Sequence, residues 1–162
     1  MLVLKNAVVR GRTTGGDESE ALWTLPGFGP MTRVSTAIGD IYAQVLRKRD
    51  GVLTEAHGER QIVSVDRISL DAEFLASMQD AYPVLVRAGA FGQGVPVADM
   101  LLSPAQEISL DRQAPQTFVR ARDLLGRPGV TRKQEDVVTY TTFRCGAPVC
   151  AKVEGIWARI AA

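Results

Sequence analysis

The chain has 162 residues, of which 46% are hydrophobic and 23% are charged, proportions that fit one soluble domain with a hydrophobic core. Nineteen basic against eighteen acidic residues give a net charge of +1, so the overall charge gives no reason to expect nucleic acid or an anionic membrane as a partner. No apolar run reaches the roughly 18 residues that a membrane span needs, and the amino terminus lacks the pattern of a secretory signal. The cytoplasm is therefore the expected compartment.

The first 26 residues are predicted to precede the core of the domain. Residues 3–9 are apolar enough for a strand, and the polar sequence RTTGGDESE at residues 12–20 predicts a mobile loop. We expect residues 2–9 to pair as an extra strand, and Trp23 and Leu25 to pack over the rim of the core. Residues 27–162 form the predicted core, and the whole chain is expected to be a single domain.

Short segments that alternate in polarity or are rich in β-branched residues dominate the remaining sequence, and such segments predict strands. Gly-Asp, Asp-Gly and His-Gly pairs separate several of them and are typical of turns. Strands are expected at residues 32–36, 41–46, 52–55, 61–65, 84–87, 100–103, 108–110, 137–143 and 149–153.

Two segments predict short helices. Residues 71–81 begin with Asp71, a favourable N-cap, and stop before Pro83. Residues 118–125 end at the sequence Gly-Arg-Pro-Gly, which is typical of a helix exit. Many short strands, frequent turns and two small helices together indicate a mainly β fold.

Two local features could suggest a ligand. The glycine-rich residues 89–94 do not have the spacing of a phosphate-binding loop and are interpreted as a tight connection between strands. Cys145 and Cys150 flank a predicted hairpin tip, where they could face each other as reduced thiols. His57 is the only histidine, so a four-ligand metal site is not expected, and no cofactor is predicted.

Five motifs in order resemble the Hint domain, the self-processing fold of Hedgehog proteins and inteins, and most closely its bacterial branch, common in alphaproteobacteria. The sequences GFGPMT and TAIG resemble the opening block, and RDGVLT and RQIVSV resemble the strands that follow. PVLVRAGAFGQGVPVADMLLSPAQEISL resembles the central block, and VVTYTTFRCGAPVCAKVEG the closing hairpin. The likeness runs from about residue 27 to 155 and implies a Hint-like fold of many short strands.

The resemblance implies a reaction in which a cysteine thiol attacks the preceding carbonyl while histidines carry protons. This sequence departs from the family at those positions. Gly27 stands at the nucleophile position, and Gln106, Thr142 and Pro148 stand at histidine positions. None of these side chains is a thiol or an imidazole, so the chain is expected to be a degenerate member without enzyme activity.

Other residues of the family motifs are retained, namely Thr32, Asp50, Ser103 and Pro104. Their expected roles are structural, such as a turn hydroxyl or the cap at the start of a strand. Replacement catalytic groups were considered at several positions, and none has an evident partner: His57, the hydroxyls of Ser35, Ser103 and Thr142, and the carboxylates of Glu107 and Asp111.

Three functions are consistent with this sequence. The favoured hypothesis is an inactive Hint-like domain that serves as a binding or structural module. The second is self-cleavage by a non-standard nucleophile near Gly27. The third is binding of a small ligand in a small pocket around Gly27, Gln106 and Thr142. A protein partner is possible, and the chain is expected to be a monomer or a homodimer, without nucleic-acid or membrane binding.

Overall fold

The computed structural model describes residues 21–111 and 113–162, which form thirteen short strands, one α-helix and three 3-10 turns. The strand predicted at residues 3–9 and the loop at residues 12–20 lie outside the described residues. The first strands are β1 (Arg33–Thr36), β2 (Gly39–Tyr42), β3 (Gly51–Thr54), β4 (Gly58–Gln61) and β5 (Ser64–Leu70), followed by the helix α1 (Ala72–Ser77). The later strands are β6 (Val84–Val86), β7 (Met100–Leu102), β8 (Glu107–Ser109), β9 (Val119–Arg120), β10 (Val130–Arg132), β11 (Val138–Arg144), β12 (Val149–Val153) and β13 (Ile156–Ile160). The predicted mainly β fold is confirmed.

The largest sheet contains eight strands. Their order is β2-β1-β3-β12-β13-β8-β9, and β4 pairs with β3. The hairpin of β12 and β13 lies at its centre and pairs over five residues, from Val149 opposite Ile160 to Val153 opposite Ile156. Both strands bury alternate residues, as expected when one face of a sheet packs on the core.

Two smaller sheets complete the fold, one with the order β10-β6-β7 and the other formed by β11 and β5. The backbone of Phe28 lies between them and bridges to Leu102 of β7 and to Thr141 of β11. The glycine-rich segment at residues 89–94 connects β6 to β7, as predicted.

The buried apolar residues form two clusters. The main cluster contains Phe28 and residues from all three sheets. The second cluster packs α1 against the sheet of β5 and β11 and consists of Trp23, Ile68, Leu70, Leu75, Ala81, Val138 and Tyr140. Trp23 therefore belongs to the folded domain although it precedes the predicted core.

The helix predicted at residues 71–81 is present but shorter. Asp71 caps α1, since its Oδ1 accepts a hydrogen bond of 2.8 Å from the Phe74 N–H. The helix ends at Ser77, and a separate 3-10 turn follows at Gln79–Ala81. No helix in the described ranges has the length and hydrophobicity needed to cross a membrane.

The helix predicted at residues 118–125 is wrong. The segment forms β9 and a 3-10 turn at Ala121–Leu124. The N–H of Ala121 bonds to the Gln106 carbonyl at 2.9 Å, and that of Arg122 bonds to the Pro104 carbonyl at 3.1 Å. Contacts with a distant segment thus replace the hydrogen bonds of a helix.

Several strand predictions also differ from the structure. The strand expected at residues 61–65 is interrupted, because β4 ends at Gln61 and β5 begins at Ser64. The strand expected at residues 41–46 ends at Tyr42, because the next amides, of Ala43 and Gln44, bond to the Thr32 and Pro30 carbonyls in a turn. The sequence pattern does not predict β10, and it also misses the last strand, β13. It follows Glu154 and Gly155, both at positive φ, which form the tight turn of the β12–β13 hairpin.

The two cysteines do not face each other. β11 and β12 belong to different sheets, and Cys150 lies opposite Arg159 of β13. Both cysteines are free thiols, and burial raises the pKa of each. The predicted cross-strand arrangement of Cys145 and Cys150 is therefore wrong.

Candidate functional site

The segment around Phe28 is held as a short strand between two sheets. The Phe28 N–H donates to the Thr141 carbonyl at 2.8 Å, and the Thr141 N–H donates back at 2.9 Å. The next amide, of Gly29, donates to the Leu101 carbonyl at 2.8 Å. Phe28 is fully buried and stacks on Phe143 with ring centroids 6.2 Å apart. These contacts fix the position of the residue just before it, Gly27.

Gly27 has no room for a side chain. A Cβ atom placed on it would lie 2.8 Å from the Cβ of Tyr140 and 3.3 Å from the Thr141 carbonyl oxygen. Its φ of +157° also favours glycine. The backbone at Gly27 is therefore packed directly against β11.

Ser103 fixes the backbone on both sides of Pro26. It is fully buried, its Oγ donates to the Leu25 carbonyl at 2.6 Å, and its N–H donates to the Gly27 carbonyl at 2.9 Å. Pro104 is buried beside it, and its carbonyl accepts from the Arg122 N–H. The contacts of Ser103 and Pro104 therefore stabilise the fold.

Thr32 and Asp50 also make structural contacts. The Thr32 hydroxyl donates to the Leu101 carbonyl at 3.0 Å and accepts from the Leu101 N–H at 3.2 Å. The Asp50 carboxylate accepts from the Arg47 N–H at 2.8 Å and lies immediately before β3. Both residues stabilise turns or strand ends.

Gln106 and Thr142 line one cleft, with Leu25 and Pro26 at its wall. The cleft has a volume of about 200 Å³, and the prediction that Gly27 also lines it is wrong, although the neighbouring Pro26 does. Gln106 is 1% exposed, and its Nε2 donates to the Glu107 and Arg159 carbonyls, each at 3.0 Å. The amide side chain therefore joins β8 to β13.

Pro148 does not line this cleft. It is exposed and precedes β12, whereas the cleft is lined by β5, β11 and the end of β13. The structure therefore brings Gln106 and Thr142 together and leaves Pro148 outside.

The other residues that could carry a catalytic group have structural contacts or lie in exposed turns. His57 is exposed in the turn between β3 and β4, where its N–H donates to the Thr54 hydroxyl. Ser35 bonds to Asp40 at 3.0 Å, and Glu107 pairs with Arg159 at 2.5 Å. The amides of Thr117 and Gln116 lower the pKa of Asp111 by bonding to its carboxylate. Of these groups, Thr142 lines the cleft, while Glu107 contacts two of its lining residues, Gln106 and Arg159.

Tyr140 packs against Gly27, and its hydroxyl is bound within the domain. Its hydroxyl donates to the Ala81 carbonyl at 2.7 Å, and burial raises the pKa of the phenol well above its ordinary value. The group therefore stays protonated at physiological pH. Among the described residues, no cluster of three or more histidines, cysteines or carboxylates could hold a metal ion.

One polar cluster was not predicted from the sequence, and it anchors the segment before Gly27. Asp80 Oδ2 accepts from the Trp23 N–H at 2.8 Å and from Arg122 Nη2 at 2.7 Å, and Oδ1 accepts from Arg132 Nη2 at 3.1 Å. Arg122 also donates to the Trp23 carbonyl. We refer to Trp23, Asp80, Arg122 and Arg132 as the anchor cluster. Its members lie up to 109 positions apart in the sequence, so no local pattern reveals it.

Trp23 completes the anchor through apolar contacts. It is 2% exposed and meets the ring of Phe74 edge-on, with centroids 5.8 Å apart. Leu25 is more exposed and lines the cleft. The packing expected of Trp23 is therefore observed, with α1 as its partner, whereas Leu25 remains 36% exposed.

Comparison with solved structures finds similar folds. The DnaB intein from Synechocystis sp. PCC 6803 matches with a TM-score of 0.55 at 7% identity, covering 85% of this chain and 100% of the intein. The MchDnaB-1 intein matches with a TM-score of 0.51 at 9% identity, covering 82% of this chain and 98% of the intein. At these identities the likeness concerns the fold alone. A search of curated proteins finds no match.

The sequence itself matches a family model described as "Hint domain" over residues 26–159. The match covers most of the chain and includes the segment at Phe28, the cleft and the β12–β13 hairpin. The motif order, the intein-like architecture and this match agree. The chain belongs to the Hint domain family.

Proposed function

We propose that this Hint domain does not cleave itself and serves instead as a binding or structural module. The observation that carries the proposal is the position of Gly27, whose α-carbon faces the Cβ of Tyr140 with no space for a nucleophilic side chain. The family reaction begins when a thiol or hydroxyl at this position attacks the preceding carbonyl, and glycine has no side-chain atom that could make this attack.

The cleft supports the same proposal, because the residues at its two histidine positions are poor proton carriers. The Gln106 amide does not titrate near neutral pH and is held by two carbonyls. Thr142 contributes a hydroxyl, and no histidine lines the cleft among the described residues. The two residues that stand at histidine positions in the cleft therefore supply no general acid for the departing amide nitrogen, and Asp66 is the one carboxylate among the described residues that line it.

The anchor cluster, which holds the segment before Gly27, also supports the proposal. The buried Trp23 side chain and the backbone bonds of Trp23 to Asp80 and Arg122 hold this segment to the rest of the domain. Here Trp23 belongs to the second hydrophobic cluster, and its backbone N–H and carbonyl are both bound. These contacts are those of a segment that remains part of the domain.

Intact mass spectrometry of freshly expressed and aged protein tests the proposal. We expect one species at 17.5 kDa, also after incubation with a thiol or hydroxylamine, which would release a segment held by an ester or thioester. Accumulation of a fragment that begins at Gly27 would contradict the proposal. A fragment that begins at Pro26 would contradict it equally, and its loss in a Ser103→Ala variant that stays folded would identify Ser103, whose hydroxyl is bound to the Leu25 carbonyl, as a non-standard nucleophile.

A second candidate function is binding of a small polar ligand in the cleft. The specific observation is the 200 Å³ volume, whose wall combines Thr142 and Asp66 with apolar side chains such as Ile68. We expect small amides and amino acids, screened by NMR, to shift the Thr142 and Gln106 resonances, and a Thr142→Val variant to lose the shift. A panel that moves no resonance of the cleft would count against this candidate.

A further inference from the structure

A second concave surface, which we call the groove, lies on the outer face of the β10-β6-β7 sheet. It has a volume of about 640 Å³ and shares no lining residue with the cleft. Leu85 and Leu101 are part of its apolar lining, and Met31 and Val137 line it with 58% and 62% of their surface exposed. Two large apolar side chains beside one concave surface indicate a surface that another segment covers.

The groove also contains an unpaired strand edge. In an antiparallel ladder, alternate residues direct their N–H and C=O groups to the same side. Thr141 directs both groups to Phe28, so Thr139, two residues earlier in β11, directs its groups to the same side, away from β5. The short strand at Phe28 ends at Gly29, and no other described segment pairs with this edge at Thr139.

The charges on the rim of the groove are already paired within the domain. Arg87 bonds to Asp99 at 3.2 Å, and Lys133 bonds to Glu135 at 3.1 Å. Arg132 is bound to Asp80 in the anchor cluster. The groove thus offers apolar contacts and backbone hydrogen bonds, which suit an uncharged extended strand better than an ionised small molecule.

We propose that residues 2–9 of this chain dock in the groove as a strand beside β11. Their sequence, LVLKNAVV, carries one charge in eight residues and is predicted to be a strand. A strand here would bond to the free groups of Thr139 and cover Met31 and Val137. The proposal requires only that the amino-terminal segment stays with the domain, and it is independent of what the cleft binds.

The length of chain fits this placement. Ala21 lines a depression together with Tyr82 and Arg132, and Arg132 also lines the groove. Residues 10–20 lie between the proposed strand and Ala21, and eleven extended residues span up to about 36 Å. The connection can therefore pass from the anchor cluster to the groove without disturbing either.

Amide hydrogen exchange of Thr139, followed by NMR on the full chain after its intact mass is checked, tests the proposal. We expect the Thr139 amide to exchange at least about tenfold more slowly than an unpaired amide. A Val3→Asp/Leu4→Asp variant, which puts a charge on both faces of the proposed strand, should remove that protection. A Thr13→Asp/Thr14→Asp variant, with the same charges outside residues 2–9, should keep it.

The amide of Tyr140 serves as the internal reference, because Tyr140 pairs with Ile68 of β5. Its hydrogen exchange should stay slow in every variant. A Val137→Asp variant changes the groove at an exposed position and should also accelerate exchange at Thr139. Fast exchange of Thr139 in the uncut full chain would overturn the docking and leave the proposed function standing. Protection that rises with protein concentration, together with a dimer by light scattering, would overturn it in favour of a second copy.

Discussion

A Gly27→Ala variant is expected to lose about 2–4 kcal/mol of unfolding free energy. The added methyl group would approach the Cβ of Tyr140 to 2.8 Å, and neither partner can rotate away, because both atoms are attached directly to hydrogen-bonded strands. The φ of +157° adds backbone strain. Urea denaturation followed by circular dichroism measures the loss.

Gly39→Ala is the matched control. Gly39 also has a positive φ, +118°, but nothing lies within 4 Å of a Cβ placed on it. The Gly39→Ala variant should therefore lose about 1 kcal/mol of unfolding free energy, from backbone strain alone. An equal loss in both variants would mean that β11 moves aside for a side chain at position 27, and would remove the main support for the proposed function.

Removing the carboxylate of the anchor cluster is expected to have a larger effect. We expect Asp80→Ala to destabilise the domain by about 3–5 kcal/mol, since it leaves Arg122 and Arg132 without their acidic partner at mostly buried positions. The Asp80 and Arg122 side chains are 11% and 13% exposed. The same change removes the acceptor of the Trp23 N–H. Urea denaturation measures the loss, and limited proteolysis reports whether the segment around Trp23 is released.

Glu135→Ala is the control for this experiment. Glu135 pairs with Lys133 at a similar distance, 3.1 Å, but the two side chains are 36% and 46% exposed. Exposed pairs contribute little, and the loss should stay below about 1 kcal/mol. If Asp80→Ala costs no more than this control, the anchor cluster is not what holds the segment before Gly27.

Local patterns in the sequence predicted most of the fold. Alternating polarity located strands such as β11 and β12, and Asp71 correctly marked the start of α1. Residues 118–125 were wrongly predicted as a helix because their amides bond to carbonyls of Pro104 and Gln106. A pattern within eight residues contains no information about such distant partners.

Only part of the candidate site could be predicted from the sequence, because the rest depends on contacts between distant residues. Motif order placed Gly27, Gln106 and Thr142 near one another, and the last two line one cleft. The sequence could show that Gly27 lacks a thiol, but only the structure shows that Tyr140 occupies the space beside it. The anchor cluster depends on long-range pairing of Asp80 with two arginines, and single-residue properties do not predict it.

The bridge at Phe28 has a consequence for how this domain could change. Phe28 is bound to β11 and its neighbour Gly29 to β7, so the two small sheets share one short connection. Any substitution that opened space for chemistry at position 27 would loosen the same connection. Any route to a larger side chain at position 27 would therefore have to compensate for lost stability first, which makes such a change hard to reach in single steps.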